Sequence, residues 1–395
     1  MRAATTHSTD SDTDVAVAEA YAALARELGG PPDWLFVQSS VRHPLAALQR
    51  AVAATGARAI HGGSSCLGVM TQAGVHGDAG LGLFGLRDEH GGFGVGLAPL
   101  GDDPAAGAGL ALQRAIDASG RQGEVPALVW VTSAPGHEEA CIAGIEAVIG
   151  REVPIVGGSA ADDTVAGGWY QFTRDAGDTG GIVVSALYPG AAVASAFQSG
   201  YSPTTHIGRV TRADRRSLQE IDGRPAAAVY DAWSGGAIAS ALPGGGSVLA
   251  TTTLFPIGRR VGDVGGEPYF RLAHPESVGP GGDLRLFADF AEGDELVLMQ
   301  GSIDALLTRA GRVADDALSL AQLTPHSAAG ALVIFCAGCM LTVRDQLPRV
   351  VAGLNQALAG VPFLGCFTFG EQGCFVGGEN RHGNLMISVT VFARS

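Results

Sequence analysis

Trp34-Leu35-Phe36-Val37-Gln38-Ser39-Ser40 is an apolar run that ends in polar residues, and after one amphipathic stretch it is followed by Ala59-Ile60-His61-Gly62-Gly63-Ser64-Ser65-Cys66-Leu67-Gly68. The pair reads as a strand, a helix and a second strand that closes in a turn of small and polar residues. The same order returns twice. Ala127-Leu128-Val129-Trp130-Val131-Thr132-Ser133 leads to Gly157-Gly158-Ser159-Ala160-Ala161-Asp162-Asp163, and Ala331-Leu332-Val333-Ile334-Phe335-Cys336-Ala337 leads to Gly365-Cys366-Phe367-Thr368-Phe369-Gly370-Glu371. A repeat of this kind locates the sheet edges, and α/β proteins build their sites at such edges, here the three turns.

Between these segments the spacing predicts helices over 15–29, from Pro44 onward, over 105–118, 138–149, 225–233 and 302–320. Strands 82–86 and 93–97 read as a hairpin around Asp88-Glu89-His90-Gly91-Gly92, and further strands are expected over 182–187, 192–197, 295–300 and 383–389. A loop follows each turn before the next strand, long enough to suggest a ligand-covering role. The pattern predicts an α/β fold of two domains, mixed sheets with flanking helices, built from repeated strand-helix-strand-strand cassettes. We expect a disordered tail over 1–14, an N-terminal domain over 15–233, a Gly-rich linker over 234–246 and a C-terminal domain over 247–395.

At 395 residues, with 46% apolar and 16% charged residues, the chain has ample material for buried sheets. Its 59 glycines exceed the usual share of about 7% and cluster after predicted strands. A formal charge of −14 argues against nucleic acid or an anionic membrane as a general partner. All 25 basic residues are arginine, which removes the P-loop lysine, the Schiff-base lysine and any Ser-Lys dyad. The N-terminus lacks the apolar core of a signal peptide, no apolar stretch is long enough for a membrane helix, and the six cysteines are expected as reduced thiols in the cytoplasm.

The turns supply the candidate ligand-binding residues: Ser64, Ser65 and Cys66 in the first, Gly158, Ser159, Asp162 and Asp163 in the second, Thr368 and Glu371 in the third. Backbone N–H groups, hydroxyls and carboxylates of three meeting turns would surround one cleft. A hydrolase reading makes Ser64 or Cys66 a nucleophile and His61 its base, but adjacent residues on a strand point to opposite faces, which hinders a dyad. Asp162-Asp163 suits a cation or a ligand amine, and equally the bend that stops a strand. Cys336, Cys339, Cys366 and Cys374 form a candidate metal set, though only the first pair has ligand spacing; buried inert thiols are the simpler reading. Gly80-Leu81-Gly82-Leu83-Phe84-Gly85 matches a dinucleotide fingerprint by letter, but no helix follows it.

Five segments, in order, resemble the FIST family of sensory proteins: 62–68, 156–162, Ile221-Asp222-Gly223-Arg224-Pro225-Ala226, Phe335-Cys336-Ala337-Gly338-Cys339, and 362–371. The resemblance runs over about 34–393 and makes the two expected domains FIST N-terminal-like and FIST C-terminal-like. It implies a cytoplasmic signal-transduction module that binds a small ligand such as an amino acid and works with a histidine kinase or a cyclic-dinucleotide enzyme. Some members bind haem and sense nitric oxide. Where the family carries arginine after Cys-x-Gly this chain has Cys339, and Cys366 and Cys374 are additional.

Three functions follow as expectations. The first is a small-ligand sensor, not an enzyme, that signals to a separate protein partner. The second is a haem, metal or iron-sulfur sensor of redox state or nitric oxide, its cofactor left open by the motifs. The third is a hydrolase acting through Ser64 or Cys66.

Overall fold

The computed structural model describes residues 1–264, 266–375 and 377–395. The repeat seen in the sequence is a repeat of structure, and each copy is one mixed sheet with helices on its outer face. The first unit begins earlier than expected. Residues Arg2–Ser8 are a strand paired antiparallel with Leu81–Arg87 over seven register pairs, so the expected disordered tail is the edge strand of the first sheet. Its small polar residues carry little apolar signal, and the strand that orders it lies far along the chain.

Helix α1 (Thr13–Leu28) follows, started by the Asp12 carboxylate, which accepts the N–H groups of Asp14 and Val15, and stopped by Gly29 at φ 73°. The opening strand Trp34–Ser39, helix α2 (Leu45–Ala53) and the closing strand Ala59–Ser64 form a parallel crossover, and Leu81–Arg87 completes the sheet antiparallel to the opening strand. The second unit repeats the plan: edge strand Gly92–Pro99, α3 (Pro104–Ser119), opening strand Leu128–Ser133, α4 (Glu138–Ile149), closing strand Ile155–Ser159 and third strand Gly181–Tyr188. The hairpin expected around Asp88–Gly92 therefore does not form, because its two strands belong to different sheets. Gly94 and Gly96 explain the choice: a Cβ at either would lie 1.9 or 2.2 Å from a carbonyl of α3, so α3 packs directly on the second strand's backbone.

The third unit has the edge strand Val193–Gln198 and is then interrupted. Residues 202–300 build a separate antiparallel nine-stranded sheet, with α5 (Ala226–Trp233) and the short α6 (Leu249–Thr252) around its own core. The Gly-rich stretch 234–246 lies inside this layer and buries Ile238 and Ala241 in that core. The third unit then resumes with α7 (Ile303–Leu320), opening strand Ala328–Cys336, an added short helix α8 (Ala337–Thr342), α9 (Leu347–Leu358), closing strand Phe363–Thr368 and third strand Ile387–Ala393.

The segments after the turns are not loose covers. Each forms a two-stranded hairpin that joins the sheet of another unit. Val69–Thr71 after the first turn pairs with the closing strand of the third unit, Gln171–Thr173 after the second pairs with that of the first, and Glu371–Cys374 after the third pairs with that of the second. The exchange is cyclic. Aromatic side chains from the three inner faces, among them Trp34, Phe36, Trp130 and Phe392, meet in a common centre, while the helices cover separate outer cores. Gly62 shows how closely an exchanged hairpin docks, since a Cβ there would lie 2.2 Å from the Phe172 ring.

Candidate functional site

Register makes Ser64, Ser159 and Thr368 equivalent, because each faces the last residue of its opening strand: Ser39, Ser133 and Cys336. Beyond them the three turns meet through their own backbones. Ala161 N–H donates to Ser64 O at 3.0 Å, Cys66 N–H to Phe367 O at 3.0 Å, and Ser159 N–H to Gly370 O at 2.8 Å. The N–H groups expected to hold a ligand are thus consumed in joining one turn to the next.

The polar side chains of the turns are committed in the same way. Tyr170 N–H donates to Ser64 Oγ, and Ser65 Oγ donates to Gly68 O while accepting from Phe367 N–H at 2.8 Å. Asp162 accepts from the backbone N–H groups of Thr164, Val165, Ala166 and Gly168 and so organises its own loop; Asp163 accepts from Leu67 N–H at 2.7 Å. Gly158 makes room for the third turn, since a Cβ there would stand 2.5 Å from Thr368 Cγ2. Apart from Thr368, none of these residues lines the main cavity, which corrects the expectation of one cleft floored by all three turns. Short polar side chains beside exposed strand ends satisfy those ends first.

The cavity lies to one side of this junction, with a volume of about 630 Å³, within the range of small-molecule sites. The second unit contributes Pro135, Glu138 and Trp169 to its wall, the third unit Cys336, Gly338, Leu341, Thr368 and Phe369, and the inserted layer Arg216, Leu249, Thr253, His274 and Phe287. Thr368 is therefore the one expected ligand residue on the wall, with Ser159 directly behind it, donating from Oγ to Glu138 Oε1 at 2.6 Å. A second cleft of about 350 Å³, around Asp33, Arg58 and Arg174, sits at the opposite ends of the strands from the turns.

Of the charged residues on the cavity wall, Glu276 stands apart, while Glu138 and Arg216 belong to one network. Arg216 bonds Glu138 at 2.6 Å and Glu139 at 3.0 Å, with Asp289 at 3.5 Å, and Glu139 also meets His382 Nδ1 at 3.1 Å. Burial opposes ionisation of Glu138 and Glu139, but His382 and Arg216 outweigh it and hold both carboxyls below their usual range. Both acids stand in the first turn of α4, where the helix dipole also favours them. Glu138, Glu139 and His382 are also the one set of three close metal-type donors among the described residues, with the Arg216 cation already seated on the two carboxylates.

His274 is a further polar residue of the wall. It is buried, its Nε2 has no hydrogen-bond partner, and burial lowers its pKa to about 4, so it is a neutral imidazole. Glu371 is fully buried and takes hydrogen bonds from Thr368 Oγ1 at 2.9 Å and Met386 N–H at 3.1 Å. Burial raises its pKa well above the carboxylate range and keeps it protonated.

The proposed nucleophiles have no base. His61 is enclosed between the first two sheets, its Nδ1 2.8 Å from Ser185 Oγ and its Nε2 2.9 Å from Thr132 Oγ1. Trp34 Nε1–H donates to the same Ser185 Oγ, whose own hydrogen then serves Nδ1, leaving His61 Nε2–H to donate to Thr132. Burial lowers the His61 pKa to about 3 and raises that of Cys66 to about 12, so the first is a structural imidazole and the second an unreactive thiol.

The four cysteines of the metal set also separate. Cys366 faces the common centre with Ile334 and Leu364, Cys336 and Cys339 lie in the outer core of the third unit, and Cys374 sits on the exchanged hairpin. Among the described residues no three of them come within reach of one ion. Strand alternation sends Cys366 to the inner face, away from the pair at the start of α8. Arg216, His274 and Phe287 escaped the sequence reading because the inserted layer does not repeat; the Arg215-Arg216 pair was their only local signal.

The FIST N domain model matches residues 33–224 and the FIST C domain model residues 226–374. The chain belongs to the FIST family. Its two family halves meet inside the inserted layer, at residues 224–226, and the exchanged hairpins interlock them. FIST domains are associated with signal-transduction sensing. No curated protein matches the chain. Among solved structures, a cyanuric acid hydrolase from A. caulinodans aligns at 11% identity and TM-score 0.39, covering 100% of this chain and 99% of that one. A second cyanuric acid hydrolase aligns at 8% identity and TM-score 0.37, covering 99% of each chain. Likeness at this level bears on neither fold nor activity.

Proposed function

We propose that this FIST protein is a sensory receptor whose ligand is a small molecule held in the 630 Å³ cavity, and that it signals to a separate partner such as a histidine kinase in the cytoplasm. The observation that carries this reading is who builds the wall. Second unit, third unit and inserted layer each contribute side chains, so a ligand that touches all three favours the arrangement in which they are closest. The wall is largely apolar, with Arg216, Glu138, Glu276, Thr368 and Asn384 among the polar residues that would set orientation. Among the described residues no helix is long and apolar enough to cross a membrane.

Haem does not fit this cavity. His274 Nε2 is buried, which shuts it from an iron, and Arg216 is already engaged by three carboxylates where propionates would need a free cation.

Thermal-shift screening with amino acids, nucleotides and hemin tests the proposal, because a ligand at a hundred times its Kd stabilises by about 2.7 kcal/mol. Leu341→Trp fills the cavity from a half-exposed position on α8 and is expected to abolish the shift while the protein stays folded. A ligand whose shift survives Leu341→Trp unchanged binds elsewhere and refutes the assignment.

A further inference from the structure

Cys336 and Cys339 stand where the opening strand of the third unit turns into α8. The first two units have neither a helix nor a cysteine at this place, so the feature is peculiar to the third. Residues three apart at a helix start are neighbours, with Cβ atoms about 5–6 Å apart, and a disulfide, which needs about 3.5–4.5 Å, forms there once the first turn tightens by about 1–2 Å. Cys336 lines the cavity wall, while Cys339 lies behind it, fully buried.

Behind the pair is Arg309 of α7, exposed by only 1%. Its Nη1 donates to the carbonyls of Ser199 and Leu385, and its guanidinium carbon lies 5.3 Å from the ring centre of Phe335 and 5.7 Å from that of Tyr201. Nε and Nη2 reach no oxygen or nitrogen acceptor, Cys339 is the ionisable side chain facing the group, and among the described residues no carboxylate forms an ion pair with it. A guanidinium does not release its proton, so a fixed cation is buried beside the thiols. Burial pushes the Cys339 thiol up, but Cys336, the Arg309 charge and the Tyr201 hydroxyl at 3.5 Å outweigh it and hold Cys339 below the usual thiol range. The Cys336 thiol is held well above it by its hydrogen bond to Cys339 and by burial. The Arg309 charge, with no carboxylate paired to it, favours a thiolate on Cys339 over one on Cys336.

We propose that Cys336 and Cys339 are a redox-active dithiol, oxidised to an intramolecular disulfide by a low-molecular-weight disulfide that enters through the cavity. The proton of Cys336 passes to Cys339. The Cys336 thiolate attacks one sulfur of the entering disulfide, forming a mixed disulfide and expelling a thiolate that takes the proton back from Cys339. The Cys339 thiolate then attacks Cys336 Sγ and expels the second thiolate. The two cysteines lose two electrons and one proton, the entering disulfide gains them, and one thiol and one thiolate leave. Oxidation also removes the negative charge beside Arg309 and ties the first turn of α8 to its strand, altering the cavity wall whatever the ligand is.

The test uses the full chain, reduced, freed of reductant and exposed to hydroxyethyl disulfide at neutral pH, then acid-quenched, denatured, alkylated and mapped by peptide mass. The expected result is loss of both alkylatable thiols at Cys336 and Cys339, restored by reductant, while Cys66, Cys141 and Cys366 remain alkylatable. Alkylation of both Cys336 and Cys339 after prolonged exposure overturns the proposal. Cys339→Ser is expected to trap the hydroxyethyl adduct on Cys336; an adduct on Cys374 alone, with Cys336 free, overturns it as well. The wild-type map decides if that variant fails to fold.

Discussion

Glu371 is a carboxyl kept neutral by burial, and this has a measurable sign. In the unfolded chain it ionises near its ordinary value of about 4.3, whereas in the fold it keeps its proton. The folded state therefore binds more protons above that value, and the stability Glu371 contributes is fully present below it and is lost as pH rises. Glu371→Gln removes the titration, and the amide can donate to Thr368 Oγ1 and accept from Met386 N–H. We expect the variant to gain on wild type by about 1.4 kcal/mol for each pH unit between 5 and 7, read from urea midpoints; an equal offset at both pH values would contradict the neutral carboxyl. The sequence showed where Ser64, Ser159, Thr368 and Glu371 would fall, because they end strands of a repeat. It did not show their partners, because a hydroxyl beside a strand end bonds whichever backbone folding brings there. Arg309 was less legible still, one more polar position in the amphipathic pattern of α7.

At the scale of elements, the parallel crossovers were legible, since apolar runs and helical spacing are local signals. The destinations of the hairpins were not. Val69–Thr71, Gln171–Thr173 and Glu371–Cys374 are three or four residues each, and pairing over such distances leaves no periodic trace. What betrays the docking is glycine, as at Gly62 under Phe172. Gly62→Ala forces the ring of the exchanged strand away and is expected to destabilise by about 1–3 kcal/mol. Phe172→Ala opens that space, so in its background Gly62→Ala is expected to cost less than half as much; additive losses in a double-mutant cycle would show that the two do not meet.

At the scale of the molecule, three buried histidines are neutral. His61 joins the first two units, and burial lowers its pKa to about 3, while His76 and His274 fall to about 4, against an ordinary value of 6.5. An unfolded histidine binds a proton below its ordinary value and these folded ones do not, so the stability they contribute is present above about pH 6.5 and is lost as pH falls towards their folded values. The expected slope is up to about 1.4 kcal/mol per pH unit for each. Denaturation of the Glu371→Gln variant, which lacks the opposing carboxyl, at pH 7, 6 and 5 checks it, and a flat profile would contradict neutral histidines in the fold. Cyclic pairing also predicts that residues 1–224, the first family half alone, do not fold to a monomer, because the hairpin after the first turn finds its sheet in the third unit; a sharp, cooperative melt of that fragment would refute this. The same pairing sets a timetable for synthesis. A ribosome releases Val69–Thr71 early, yet its partner strand ends at Thr368, so the growing chain carries an unmatched edge through most of translation. The ring closes only when the last unit has left the exit tunnel, and until then protection of that edge falls to the rest of the nascent chain or to a chaperone.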